Sequence, residues 1–151
     1  MKATVYGPED GLHLTARGSD MLFKATSQNT TDGAFSFMER VLPPGGRRPP
    51  RHVHLNADEA FYVLAGRVTF FLDEDTETAG PGSFVLAPGG VMHSFANQDD
   101  VPARVLIIHA PAMDPYFQEL HELWGDPDHA PSRQEELDLM RGHGMRPEAA
   151  D

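Results

Sequence analysis

A chain of 151 residues with 12 Lys and Arg against 23 Asp and Glu carries a net charge of −11, and it contains 14 Gly, 13 Pro and no Cys. That length suits one hydrophobic core and is short for two. Disulfides and thiolate ligands are excluded, and the acidic excess argues against nucleic acid, whose phosphates need clustered Lys and Arg. No apolar run follows Met1-Lys2 and none approaches a membrane span in length, so a cytoplasmic protein without a membrane partner is expected.

The turn-rich composition and short apolar runs predict an all-β domain followed by helices. Strands are expected over residues 12–15 and 21–26, separated by Arg17-Gly18-Ser19-Asp20. Such a hairpin can extend a sheet edge or cross to a second copy, and a homodimer is expected. A clearer strand over 35–42 stops at Pro43-Pro44-Gly45-Gly46, and residues 61–64 and 68–72 supply two more. The acidic run over 73–77 reads as an exposed hairpin tip. Residues 104–109 form a near-continuous apolar strand expected in the core. After Pro111 the period becomes helical: Asp114 can cap, Pro115 suits the first turn, and Tyr116, Leu120, Leu123 and Trp124 recur until Gly125. Ser132 followed by Glu135 is a capping box for a second helix ending near Gly142.

Two segments carry chemistry. The first is Gly46-x5-His52-x-His54-x4-Glu59-x6-Gly66, the second Gly82-x5-Pro88-x-Gly90-x2-His93-x3-Asn97. In extended chain His52 and His54 project from one face with Cα atoms roughly 7 Å apart. Two imidazoles so placed can converge on one ion at about 2.0–2.2 Å each. Glu59 has the wrong parity for that face, so the chain must turn or bulge over residues 55–58 before the carboxylate points inward. His93 arrives from elsewhere, aimed by the turn at Pro88-Gly89-Gly90. Three imidazoles and a carboxylate suit a divalent first-row metal with positions left over for other ligands.

Both segments resemble, at every signature position, the two motifs of the cupin superfamily, and the resemblance covers about residues 30–111. It implies an antiparallel jelly-roll β-barrel, here with one or two short C-terminal helices. The expected layout is a single domain over 1–151, with N-terminal strands in 1–29, the barrel in about 30–111 and helices in 112–151. It also implies that His52, His54, Glu59 and His93 are the metal ligands, and that Gly46, Gly66, Gly82, Pro88, Gly90 and Asn97 form the turn framework. One divalent ion per chain is expected, with Fe, Ni, Mn, Co, Cu and Zn all compatible with these ligands.

Strand parity places Phe61 and Val63 with Glu59, and Phe95 with His93, as pocket residues. His109 joins them because it ends a core strand, whereas His13, His121, His129 and His143 have no ligand-like spacing. The pocket so drawn is apolar and aromatic, suited to a planar small molecule held through its oxygen atoms. Arg47, Arg48 and Arg51 are read as a solvated rim rather than an anion attractor. The helical aromatic stripe is expected to pack on the outside of the barrel; the alternative is a lid whose Phe117 or Trp124 touches substrate. Within that superfamily the chain resembles small single-domain members related to quercetin 2,3-dioxygenase. That resemblance implies a dioxygenase acting with dioxygen on an oxygen-rich aromatic, enol or diketone substrate, with Glu59 as catalytic base. A non-redox isomerase, cyclase or dehydratase is the first alternative and a non-catalytic small-molecule binder the second.

Overall fold

The computed structural model describes residues 2–149. Among the described residues eleven strands form two antiparallel sheets, and two helices lie between the tenth strand and the eleventh. The first sheet contains β1 (Leu12–Ala16), β2 (Ser19–Ala25), β3 (Ser36–Leu42), β5 (Asp58–Ala65), β8 (Phe84–Ala87) and β10 (Ala103–Ala110), in the order β1-β2-β3-β10-β5-β8. The second contains β4 (His52–His54), β6 (Val68–Leu72), β7 (Asp75–Ala79), β9 (His93–Ala96) and β11 (Met145–Pro147), in the order β11-β4-β9-β6-β7. The sheets form the expected jelly roll without closing into one hydrogen-bonded barrel.

The predicted strands are present, and alternation explains their packing. β3 buries Ser36, Met38, Arg40 and Leu42 on one face, and β10 buries Ala103, Val105, Ile107 and His109. β10 therefore lies in the middle of its sheet and in the core, as expected, through one face, and Ile108 on the other face is exposed. Phe61, Phe70 and Phe95 meet between the sheets with ring centroids 5.0 and 5.3 Å from Phe61, an edge-on arrangement that adds to the gain from burial. The β1–β2 hairpin extends the edge of the first sheet, β2 pairing with β3.

The motif framework acts locally. Gly66 has φ 71°, and a Cβ there would stand 2.6 Å from the Pro102 carbonyl oxygen, so only glycine fits. The Gly90 N–H donates to the His54 carbonyl at 2.9 Å, tying the second motif to the first. Asn97 donates to the carbonyls of Leu42 (3.0 Å) and Val101 (2.7 Å), pinning the connection from β9 to β10.

Helix α1 (Asp114–Trp124) ends at Gly125, and α2 (Arg133–Gly142) starts at the expected cap, Ser132 Oγ accepting from Glu135 N at 3.1 Å. Asp114 departs from its expected role. Met113 occupies the cap position, and the buried Asp114 carboxylate instead accepts from Ser27 N (2.6 Å) and Ser27 Oγ (2.9 Å), anchoring α1 to the segment after β2. No helix among the described residues is long and apolar enough to cross a membrane.

Candidate metal centre

His52 and His54 leave the same face of β4, and His93 enters from β9, where it pairs with His52. Residues 55–57 then carry the chain across to the other sheet, so that Glu59 on β5 faces the imidazoles. One ligand atom from each of His52, His54, Glu59 and His93 lies within 4.8 Å of the others, and all four side chains are buried. The cluster therefore bridges the two sheets.

Hydrogen bonds to the outer nitrogens set the ring states. His52 Nδ1 lies 2.7 Å from the Pro50 carbonyl oxygen and His93 Nδ1 2.9 Å from that of Val91. A carbonyl only accepts, so both Nδ1 atoms carry hydrogen and both Nε2 atoms turn inward as potential ligands. His52 Nε2 and His54 Nε2 stand 3.3 Å apart. Burial, then the His93 and His54 charges, push the His52 pKa down to about 3, so this ring is a neutral donor at ordinary pH. Burial lowers His54 as well. On His93 the effect of burial is reversed by the Glu59 carboxylate, which leaves its pKa raised. Its Nε2 sits 2.7 Å from Glu59 Oε2, holding the proton that a bound cation would replace. Burial would raise the Glu59 pKa, yet His109, His54 and His93 hold it well below the usual carboxylate range. The four side chains could hold one metal ion, which would take the place of the His93 proton.

His109, expected as a pocket residue, touches Glu59 directly, a contact that spacing does not reveal. It faces Glu59 across the β10–β5 pair, 1% exposed, with Nε2 3.1 Å from Glu59 Oε1. Glu59 thus has His54 and His93 on one oxygen and His109 on the other.

A cavity of about 20 Å³ adjoins the cluster, lined by His52, His54, Glu59, Phe95, His109 and, from other elements, Arg17, Arg40, Tyr116, Phe117 and Met145. Of the expected pocket residues, Phe95 and His109 line it, whereas Phe61 and Val63 lie in the hydrophobic core. Two arginines replace the purely apolar lining expected. Arg40 was hidden because β3 has apolar residues on both faces, and parity alone does not choose between them. Arg17 comes from the two-residue turn between β1 and β2. The stripe of α1 is inward as well: Phe117 packs 5.4 Å from the His109 ring and 5.6 Å from Phe23, closing one side of the cavity, while Trp124 binds Glu136 instead.

The remaining histidines are engaged elsewhere: His13 Nε2 lies 3.1 Å from the Glu9 carbonyl oxygen, His121 Nδ1 lies 3.0 Å from Thr15 N, and His129 and His143 pair with Glu135 and Glu119. Arg47 lies over Trp124, Arg48 over Phe71, and Arg51 donates to the Asp73 carbonyl, all away from the cluster. A larger groove of about 750 Å³ lies along the N-terminal hairpin, but its Lys24 is committed to the carbonyls of Gly7, Pro8 and Asp10 and its Arg104 to Glu39.

A family model described as the cupin domain matches residues 38–109, a span that holds the four clustered residues and ends on His109. Quercetin 2,3-dioxygenase of Bacillus subtilis (strain 168) is 30% identical over 101 residues, which are 67% of this chain and 28% of that enzyme. The chain therefore spans less than a third of that enzyme's length. Protein SchB of Streptomyces halstedii is 36% identical over 100 residues, covering 66% of this chain and 70% of that protein. Among solved structures, KdgF from Halomonas sp. matches with a TM-score of 0.65 at 16% identity, over 76% of this chain and 98% of that one, a likeness of fold. Shared sequence along most of SchB, the domain match and the jelly-roll architecture together place this chain in the cupin superfamily.

Proposed function

We propose that the chain is a mononuclear metal-dependent enzyme, a dioxygenase acting with dioxygen on a small, oxygen-rich, enolisable substrate. The observation that supports this most is the buried convergence of three inward imidazole nitrogens and the Glu59 carboxylate. The likeness to quercetin 2,3-dioxygenase points the same way. His52, His54, Glu59 and His93 would hold one divalent ion, which would supply Lewis acidity toward the carbonyl and hydroxyl oxygens of the substrate. Glu59 takes the proton as general base, kept ionised by its imidazole neighbours and oriented through Oε1 by His109. Phe95 and Phe117 keep bulk water from the reacting atoms. The cavity of about 20 Å³ has room for roughly one water, so substrate entry requires Tyr116, Phe117 or Met145 to give way. His54 also lines an open surface pocket of about 170 Å³ with Met113, His143 and Gly144, which gives the entry route.

An oxygen-independent isomerase, cyclase or dehydratase is the second reading, favoured by the Glu59–His109 pair, since adjoining acid and base suffice for proton transfer. Elemental analysis of protein purified without a histidine tag, then oxygen uptake across flavonols and diketones, tests the assignment. Oxygen uptake matching product supports the dioxygenase. Product without uptake selects the second reading, and a metal-loaded protein that binds but never turns over is a binding module.

The reading includes a homodimer. Tyr62, Phe84, Leu86 and Ile108 are exposed on neighbouring strands β5, β8 and β10, beside the edge strand β8. A second copy laid against this apolar strip covers it symmetrically.

A further inference from the structure

Arg40 and Arg17 are where the cavity departs from what packing alone requires. Arg40 sits on the inner face of β3, 2% exposed, its Nε donating to Ser19 Oγ at 2.9 Å and its guanidinium lying 5.3 Å from the centre of the Phe95 ring. Among the described residues no carboxylate forms an ion pair with it. Burial, then the charge of Arg17, lowers its pKa to about 10, so it stays a cation at neutral pH.

Arg17 is held in a left-handed conformation, φ 51°, which costs a side-chain-bearing residue energy that Asn or Gly in this kind of turn would spare. Its Nε donates to Glu136 Oε1 at 2.7 Å, yet its Nη2 is buried without any hydrogen-bond partner. Leaving a buried charged donor unpaired is costly, and an apolar side chain of similar volume would fill either position at no such penalty. Two cations that repel each other, one of them with an unsatisfied donor, therefore line the same cavity as the candidate ligands. Their planar forks suit an oxyanion.

We propose that Arg17 and Arg40 form a carboxylate-binding subsite of the metal cavity, so that the substrate is a small organic acid. Its carboxylate lies on the guanidinium groups while its chelating oxygens face the histidines and Glu59. This rests on the metal-centre reading for the second half of the contact and on the two arginines alone for the first. It replaces the neutral, greasy ligand that an apolar pocket would select.

Succinylacetone and its methyl ester test the idea: both carry the same chelating β-diketone, and only the acid carries a carboxylate, two methylenes away. Titration calorimetry is run on wild type, R40M and R17M, each both metal-free and loaded with nickel. The acid should bind nickel-loaded wild type at least about tenfold more tightly than the ester, the size of one charge-assisted bidentate contact. R40M and R17M should lose that advantage while binding the ester as wild type does. In metal-free wild type the acid should still bind more tightly than the ester. Equal affinity of acid and ester in both forms of wild type overturns the subsite, a comparison that needs no variant to fold. An advantage that survives in folded R40M and R17M also overturns it. Should nickel fail to bind, the metal-centre reading falls, and the metal-free titrations decide the subsite by themselves.

Discussion

His109 stands directly opposite Glu59 in the β10–β5 pair, its Nε2 3.1 Å from the carboxylate Oε1. The two are 50 positions apart in sequence, yet the register of two central strands makes them neighbours. With His54 and His93 at Oε2, this contact leaves Glu59 fixed in orientation and ionised.

Replacing His109 by Leu should therefore leave the metal bound while changing the base. Without its partner at Oε1, Glu59 binds a proton more readily, so the acidic limb of the kcat/KM profile should move to higher pH. Turnover per metal should fall by about 10²-fold. The profile and the metal content of His109→Leu and wild type decide it, and an unmoved acidic limb would make His109 a filler of space.

Metal retention tests the ligands separately. His52→Ala and His93→Ala should each lose most of the ion, because three donors remain and each lost imidazole weakens the site. Circular dichroism should stay that of wild type, since the glycine and proline framework is untouched. Full occupancy in both variants would remove them as ligands.

Glu59→Gln separates holding from catalysis. Reloaded to full occupancy, the variant should bind substrate and turn over about 10²-fold more slowly per metal, the size of a lost general base. A ratio near one would leave Glu59 a structural ligand.

The metal-free protein should lose stability on acidification through His52. Its pKa is about 3 in the fold against an ordinary 6.5, so between those values the unfolded chain binds the proton and the folded chain does not. Stability from this group is present above about pH 6.5 and falls as the pH drops towards 3. His93 acts in the opposite direction: its raised pKa gives stability that is complete below its unfolded value and is lost as pH rises through the folded one. Urea unfolding of metal-free wild type and His52→Asn at pH 7 and pH 5 isolates the first effect. The fall between the two pH values should be smaller in the variant.

Light scattering should return about twice 16.6 kDa for wild type and near 16.6 kDa for Phe84→Asp, which sets a charge in the apolar strip. A wild-type mass of a single chain at micromolar concentration would rule out the dimer.

Residue spacing determined the parts of this protein that close over a few positions. Two histidines on one short strand, a crossover before Glu59 and a glycine turn ahead of His93 need only local backbone geometry, so the four clustered side chains were legible in the sequence. Ser132 as a cap and Gly125 as a stop were legible for the same reason. β11 carried too little signal, three residues ending in proline, and it forms because β4 offers a free edge. Asp114 looked like a cap because sequence shows helix neighbours and hides Ser27, 87 positions away. The contact of His109 with Glu59, the inward turn of Arg17 and Arg40, and the closure of the cavity by Tyr116 and Phe117 were decided only by tertiary structure. Each depends on strand register or helix docking over long sequence separations, where alternating apolar faces admit more than one parity and the packing of the whole core selects one.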